Sequence, residues 1–238
     1  MTHTSQPTAL VTGASKGFGR AVAMQLVARG WRIVVDARTG SDLQRLAAEL
    51  PDAIAVAGDV TDPKHREALA AVVADLGGID LLVNNASDLG PSPLEHLRVY
   101  SLEAARAVYE TNLIAPLALI QLLLPALTAA GGAIVNISSD AAVEAYEGWG
   151  GYGSSKAALD HLGAVLGVEV PAVRVYAFDP GDMRTDMHQR AFPGEDISDR
   201  PEPETVVPAL LRLVDERPAS GRYRAAELAA HAVSEAAR

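Results

Sequence analysis

The 238-residue sequence predicts a single α/β domain in which helices cover both faces of a parallel sheet, the doubly wound arrangement. Three observations carry this. Short apolar, β-rich runs alternate with Ala- and Leu-rich amphipathic segments along the chain, as successive β-α units do. The runs are nearly all apolar rather than half polar, as strands buried on both faces must be. A glycine-rich turn joins the first run to the first helical segment.

In chain order the strands are expected at 9–12, 33–36, 54–58, 81–84, 133–138 and 173–178, with helices at 19–29, 41–50, 63–76, 101–129 and 154–169. A last helix at 204–216 and a short strand near Tyr223 close the pattern. Right-handed crossovers turn this order into a Rossmann-type sheet of about seven strands, ordered 3-2-1-4-5-6-7. No linker and no internal repeat divides the chain, so residues 1–238 are expected to be one domain. The stretch 187–203, rich in Pro, Gly and acids, reads as a mobile substrate loop. The Ala-rich tail 225–238 reads either as a helix packed on another subunit or as a frayed end.

Composition excludes several classes. The formal net charge of −10 repels phosphate backbones, so nucleic acid is not an expected partner. With no cysteine there is no disulfide, thiolate metal site or cysteine nucleophile, which fits the cytoplasm. The six histidines form no HxH or HExxH spacing, so no metal site is expected. No GxSxG elbow supports a hydrolase. Residues 1–7 are polar and lack the basic start and apolar core of a signal peptide. The apolar stretch 113–130 contains Pro116, Gln121 and Pro125 and lacks a basic flank on its C-terminal side. It reads as a core or subunit-interface helix kinked at Pro116 rather than a membrane span.

The first strand runs into Thr12-Gly13-Ala14-Ser15-Lys16-Gly17-Phe18-Gly19. Gly13 permits a tight turn, Gly17 a close backbone approach, and Gly19 close packing of the helix on the sheet. The helix N-terminus then offers unpaired N–H groups to a pyrophosphate. Near the end of the second strand lie Asp36, Ala37 and Arg38. An acid there bonds a ribose 2′-hydroxyl and favours NAD, whereas an arginine receives the 2′-phosphate of NADP. Further on, Tyr152 and Lys156 stand four apart, on one face of a helix. A phenol with an ordinary pKa of about 10 needs a nearby cation to act in proton transfer near neutrality. Ser139, thirteen residues before Tyr152, sits where the fifth strand ends, the edge at which open α/β sheets bind ligands. Ser138 is its rival.

TGASKGFG resembles the TGxxxGxG turn of the short-chain dehydrogenase/reductase family. Asn84-Asn85-Ala86, Asn112, Ser139, Tyr152-x-x-x-Lys156 and Pro180-Gly181 follow in the family's order, so the resemblance spans about residues 8–223. It implies a nicotinamide cofactor held by Gly13, Ser15, Lys16, Gly17, Phe18, Gly19, Asn85, Ala86, Pro180, Gly181 and Thr185. Asp59 and Val60 would meet the adenine. It places the discriminating acid at Ala37 and a basic residue at Arg38, which favours NADP(H), with Lys16 as a second positive charge. The alternative is NAD(H), with Asp36 accepting the ribose hydroxyls and Arg38 only solvated. The same resemblance implies Tyr152 as general acid/base and also as a cofactor contact, Lys156 also on the nicotinamide ribose, and Ser139 rather than Ser138 on the substrate oxygen. It implies that the Asn112 backbone holds a proton-relaying water; a polar residue satisfied at the kink is the other reading. Thr185 could be only a cap. Family members pair long helices, which implies a homodimer or homotetramer.

Two departures stand out. Ser87 replaces the family's usual glycine after Asn84-Asn85-Ala86, and the 144–151 stretch carries Tyr146, Trp149 and three glycines. Aromatic residues on such a loop suggest substrate contact, with surface packing as the plainer reading. The expected function is an NADP(H)-dependent carbonyl reductase or alcohol dehydrogenase acting on a small molecule. A cofactor-binding sensor or scaffold without turnover is the alternative. A sugar-nucleotide epimerase or dehydratase ranks last, because a substantial C-terminal substrate domain does not fit the length.

Overall fold

The structure, a computed structural model, describes residues 6–50 and 53–236. Seven strands form one sheet: β1 (Thr8–Val11), β2 (Arg32–Ala37), β3 (Ile54–Ala57), β4 (Leu81–Asn84), β5 (Ala133–Ile137), β6 (Arg174–Asp179) and β7 (Gly221–Arg224). Their spatial order is β3-β2-β1-β4-β5-β6-β7, and every neighbouring pair is parallel. This is the expected Rossmann-type sheet.

Successive side chains of a strand point to opposite faces, and here both faces are dry. On β1, Ala9 and Val11 join one core cluster while Leu10 joins the other. On β2, Ile33 and Val35 oppose Val34, and on β4, Leu81 and Val83 oppose Leu82. Helices α1 (Gly17–Ala28), α2 (Gly40–Glu49) and α8 (Pro203–Glu216) cover the first face with Val22, Leu26, Leu43, Leu46, Leu210 and Leu213. On the second face, α3 (Pro63–Asp75) and α5 (Ala115–Ala130) contribute Leu69, Val73, Leu119, Ile120, Leu123 and Leu127. Helix α6 (Gly150–Glu169) packs beside them, with Leu166 against the same cluster. The register aligns the strands' carboxyl ends, with Val11 opposite both Val35 and Val83, and Asn84 opposite Asn136.

The helix expected over 101–129 is interrupted. Helix α4 (Leu102–Tyr109) gives way to a π-helical turn, Glu110–Ile114, before α5 begins. Pro116 has no N–H, so the Asn112 carbonyl loses its partner of the ordinary i to i+4 ladder. The ladder slips by one residue, and the Ala115 N–H bonds the Glu110 carbonyl. The irregularity therefore lies ahead of the proline. By length and composition, 102–130 is long and apolar enough to cross a membrane, yet one side of α5 packs on the sheet. The stretch expected as a loop over 187–203 contains most of the short helix α7 (Asp186–Ala191) before it becomes irregular. In the tail the backbone of Ala225–Ala236 is helical (α9), with Leu228 joining the first core cluster. Residues 237–238 lie outside the described part of that tail. Strand β5 stops at Ile137, one residue short of the expected end, so Ser138 and Ser139 lie beyond it.

Candidate active site

A cleft of about 1080 Å³ runs along the carboxyl edge of the sheet, bordered by residues that follow β1 to β6. At one end lies the glycine turn. Gly13 has φ +63°, and a Cβ there would sit 2.8 Å from the Ala86 Cα. Asn85 binds the turn to the loop after β4: its Nδ2 donates to the Thr12 carbonyl at 2.9 Å and the Gly13 carbonyl at 3.1 Å. A Cβ at Gly19 would overlap that amide and approach the Gly13 carbonyl to 2.7 Å. Helix α1 begins with neither a side-chain cap nor an acid in its first turn, so its N–H groups are available to an anion. These features fit a dinucleotide pyrophosphate. Gly19→Ala should therefore weaken cofactor binding about 5- to 100-fold, for an overpacking cost of roughly 1–3 kcal/mol, read by cofactor titration. Of the other turn residues, Ser15 lines the cleft, whereas the Phe18 ring is buried and stacks on Phe178 at 6.0 Å. Phe18 thus faces the core with its ring, and only its backbone suits a cofactor.

At the end of β2, Asp36 and Arg38 differ in burial and in partners. Asp36 is fully buried. Its Oδ1 accepts the Gly13 N–H at 2.8 Å, and its Oδ2 lies 3.1 Å from Nε2 of His65 on α3. Burial pushes its pKa up, against the His65 and Gly13 hydrogen bonds. Asp36 braces the glycine turn from beneath, and each of its oxygens already has a partner. Arg38 is exposed at the cleft edge. Partial burial pushes the Asp59 pKa up, but the Thr61 hydrogen bonds, and after them the Arg38 charge, hold it below the usual carboxylate value. Val60 lines the same end. Lys16 forms an exposed ion pair with Asp186 at 2.8 Å, so its charge is shared with the first turn of α7. Thr185 caps α7, accepting the His188 N–H at 3.2 Å, and its methyl would lie 3.6 Å from a Cβ at Gly17. The cap is therefore present, and it stands beside the glycine turn.

At the other end, Tyr152 and Lys156 are both buried on α6. Lys156 Nζ donates to the Ile137 carbonyl at 2.7 Å and lies 5.6 Å from the Tyr152 ring centroid. Burial lowers the Lys156 pKa to about 8, with the Asp160 charge opposing it. Burial raises the Tyr152 pKa; the Ser87 and Ser139 hydroxyls counteract this, and Asp140 and Asp179 add to it. Ser139 faces this group and is bracketed by Asp140, to which its Oγ donates at 3.0 Å. Ser138 instead turns to Asp160, donating at 2.7 Å. That separates the two rivals: Ser139 lies beside Tyr152 and Ser138 braces the helix behind.

Asn112 reaches the site through its side chain. Its Oδ1 accepts the Asp88 N–H at 2.7 Å and the Ser87 hydroxyl at 3.2 Å. Its Nδ2 donates to the Asp88 carbonyl and to Ser155 Oγ, each at 2.9 Å. This ties the Ser87–Asp88 loop to α6 one residue before Lys156. The backbone carbonyl freed by Pro116 is the separate feature on which a water could be held.

One group was not visible in the sequence. Arg222 on β7 donates Nη2 to the Ser139 carbonyl and to Asp179 Oδ2, each at 2.9 Å, while its Nε meets Asp160 Oδ2 at 3.2 Å. Asp179 Oδ1 in turn accepts the Gly181 N–H at 3.0 Å. One guanidinium therefore fixes Ser139, the turn carrying Pro180 and Gly181, and the helix carrying Lys156. The acids Asp179, at a strand end, and Asp160, inside the helix that carries Tyr152, were the only available signal, because such groups need a partner once buried.

Residues 7–196 match the pattern that describes short chain dehydrogenases. The chain belongs to the short-chain dehydrogenase family. Among its relatives, a serine 3-dehydrogenase of Agrobacterium fabrum is 38% identical over 184 residues, covering 75% of this chain and 73% of that protein. Mouse (Mus musculus) sepiapterin reductase is 38% identical over 199 residues, covering 76% of each. A solved short-chain dehydrogenase from Shigella flexneri, complexed with NADP, superposes with a TM-score of 0.87 at 28% identity, covering 92% of this chain and 96% of that one. This short-chain dehydrogenase is thus an oxidoreductase acting on CH–OH or C=O groups, in a family that binds NAD(P).

Proposed function

We propose that the protein is an NADP(H)-dependent carbonyl reductase or alcohol dehydrogenase with Tyr152 as its general acid/base. The observation that carries this is the placing of the buried Tyr152–Lys156 pair and Ser139 in the same cleft as the uncapped start of α1. Bound along the cleft, the nicotinamide cofactor supplies or takes up the hydride. In reduction Tyr152 gives its proton to the carbonyl oxygen as the carbon becomes tetrahedral. Lys156 stabilises the phenolate left behind, and Ser139 holds the substrate oxygen. Arg38 receives the 2′-phosphate, while Asp59 and Val60 border the adenine. The exposed apolar side of the π turn and α5, with Ile114 and Leu122, is the proposed face of a homodimer or homotetramer.

Cofactor preference tests the Arg38 assignment. A charge-assisted hydrogen bond is worth about 1.5–3 kcal/mol. Arg38→Ala should therefore raise KM for NADPH roughly 10- to 100-fold and leave KM for NADH little changed. Equal losses with both cofactors would remove Arg38 from the 2′-phosphate site.

The pH profile tests the proton chemistry. Lys156 is charged below its pKa of about 8 and neutral above it. Tyr152, whose pKa is raised, stays protonated through the neutral range. Reductive kcat should therefore hold near pH 7 and fall as pH rises through about 8. Because the Asp160 charge sustains that of Lys156, Asp160→Asn should move the falling limb to lower pH.

A further inference from the structure

The wall facing Tyr152 has a composition that proton transfer alone does not require. Trp149 stands edge-on to the Tyr152 ring, with centroids 5.7 Å apart, and Phe192 lies 5.9 Å from Trp149. Leu89 and Ala191 are buried in the same cluster, and Leu94 and Met187 pack against it. These side chains come from the loop after β4, the start of α6 and the α7 segment, so three separate parts of the chain converge to make one apolar surface beside the proton donor.

The charges around the cleft are arranged to match. Asp140, Glu195 and Asp196 line it near this wall. Among the described residues lining the cleft, the lysines and arginines are Lys16, Arg38, Lys156 and Arg184. Lys16 is paired with Asp186, Arg184 with Glu202, and Arg38 lies at the far end after β2. Lys156 donates to the Ile137 carbonyl beneath Tyr152. A carboxylate or phosphate on the substrate would thus lose its hydration and meet acids instead of an unpaired cation. His188, 9% exposed and 4.9 Å from Phe192, also lines the cleft, and its Nε2 is buried with no partner among the described residues. That atom can accept or donate one hydrogen bond to a neutral substituent.

We propose that this pocket takes neutral carbonyl compounds whose carbonyl carbon bears an aryl or alicyclic group seated on Trp149 and Phe192, and that it rejects anionic ones. This rests on the carbonyl-reductase reading, so binding and turnover are measured separately. The full-length protein, with NADP⁺ present, is titrated calorimetrically with 2-acetylnaphthalene and with its 6-carboxylate. Turnover is followed with NADPH on the same ketones and on 2,3-butanedione. The neutral ketone should bind at least about tenfold more tightly than the carboxylate, and Trp149→Ala should weaken it at least about tenfold through lost ring contact and burial. Phe192→Leu provides a second variant should Trp149→Ala fail to fold. Equal or tighter binding of the carboxylate, or undiminished naphthyl affinity in a folded variant, would overturn the proposal. Reduction of butanedione without naphthyl binding overturns it and leaves the reductase reading intact. Selective naphthyl binding with no turnover of any ketone supports the pocket and sinks the reductase reading. Neither binding nor turnover overturns both.

Discussion

Tyr152→Phe should lower reductive kcat about 10²- to 10⁴-fold, the range that a positioned proton donor supplies. The substitution removes one oxygen from a buried ring and keeps the packing with Trp149. The turn that would hold the pyrophosphate lies at the other end of the cleft, and Lys156 keeps its bond to the Ile137 carbonyl. Cofactor affinity should therefore stay within about threefold of wild type, an uncertainty of less than 1 kcal/mol. The change in kcat without a matching change in cofactor affinity is what separates proton donation from mere packing. Single-turnover rates with saturating NADPH, beside a cofactor titration, make the comparison. A variant that retained turnover within tenfold would remove Tyr152 from the chemistry.

Arg222→Met should have the second large effect, on stability and rate together. It leaves Asp160 and Asp179 without the guanidinium that lies between them, and both carboxylates are largely buried, with side-chain exposures of 14% and 3%. Removing one partner of a buried ionic group costs about 3–5 kcal/mol, and the partial exposure of Arg222 places this case near the lower end. For a chain of this length about 3 kcal/mol corresponds to a fall in Tm of roughly 6–12 °C. The Ser139 carbonyl and the Gly181 turn lose their common anchor, so kcat should fall about tenfold at temperatures where the variant remains folded. Arg222→Lys retains the charge without the fork of donors and should recover part of the stability and less of the rate. A variant with lowered Tm but unchanged kcat would make Arg222 a structural residue only.

Much of the fold was legible because buried strands and glycine turns leave local signatures. Runs such as Leu81-Leu82-Val83 are apolar at every position because alternate side chains enter two different cores. The glycine turn and the Tyr152/Lys156 spacing were readable for the same reason: each is a short-range requirement of backbone or helix geometry. What escaped was contact between distant parts of the chain. Asp36 was open to a second reading as a ribose ligand beside the favoured Arg38, and only the fold brings His65 against it. Arg222 meets Asp160, Asp179 and Ser139 across separations of 62, 43 and 83 residues, which no local pattern encodes. The π turn was half visible. Pro116 announced a break, but the carbonyl it frees belongs to Asn112, so the irregularity appears one turn earlier.

The most direct measurement follows the hydrogen itself. Wild-type protein would be given NADPH carrying deuterium at the transferring position of nicotinamide C4, together with an excess of a neutral ketone. Hydride transfer predicts one deuterium on the carbinol carbon of each alcohol formed, in step with NADPH oxidation, while the hydroxyl proton comes from solvent through Tyr152. Alcohol with no deuterium on that carbon, or cofactor bound without oxidation in either direction, would contradict it.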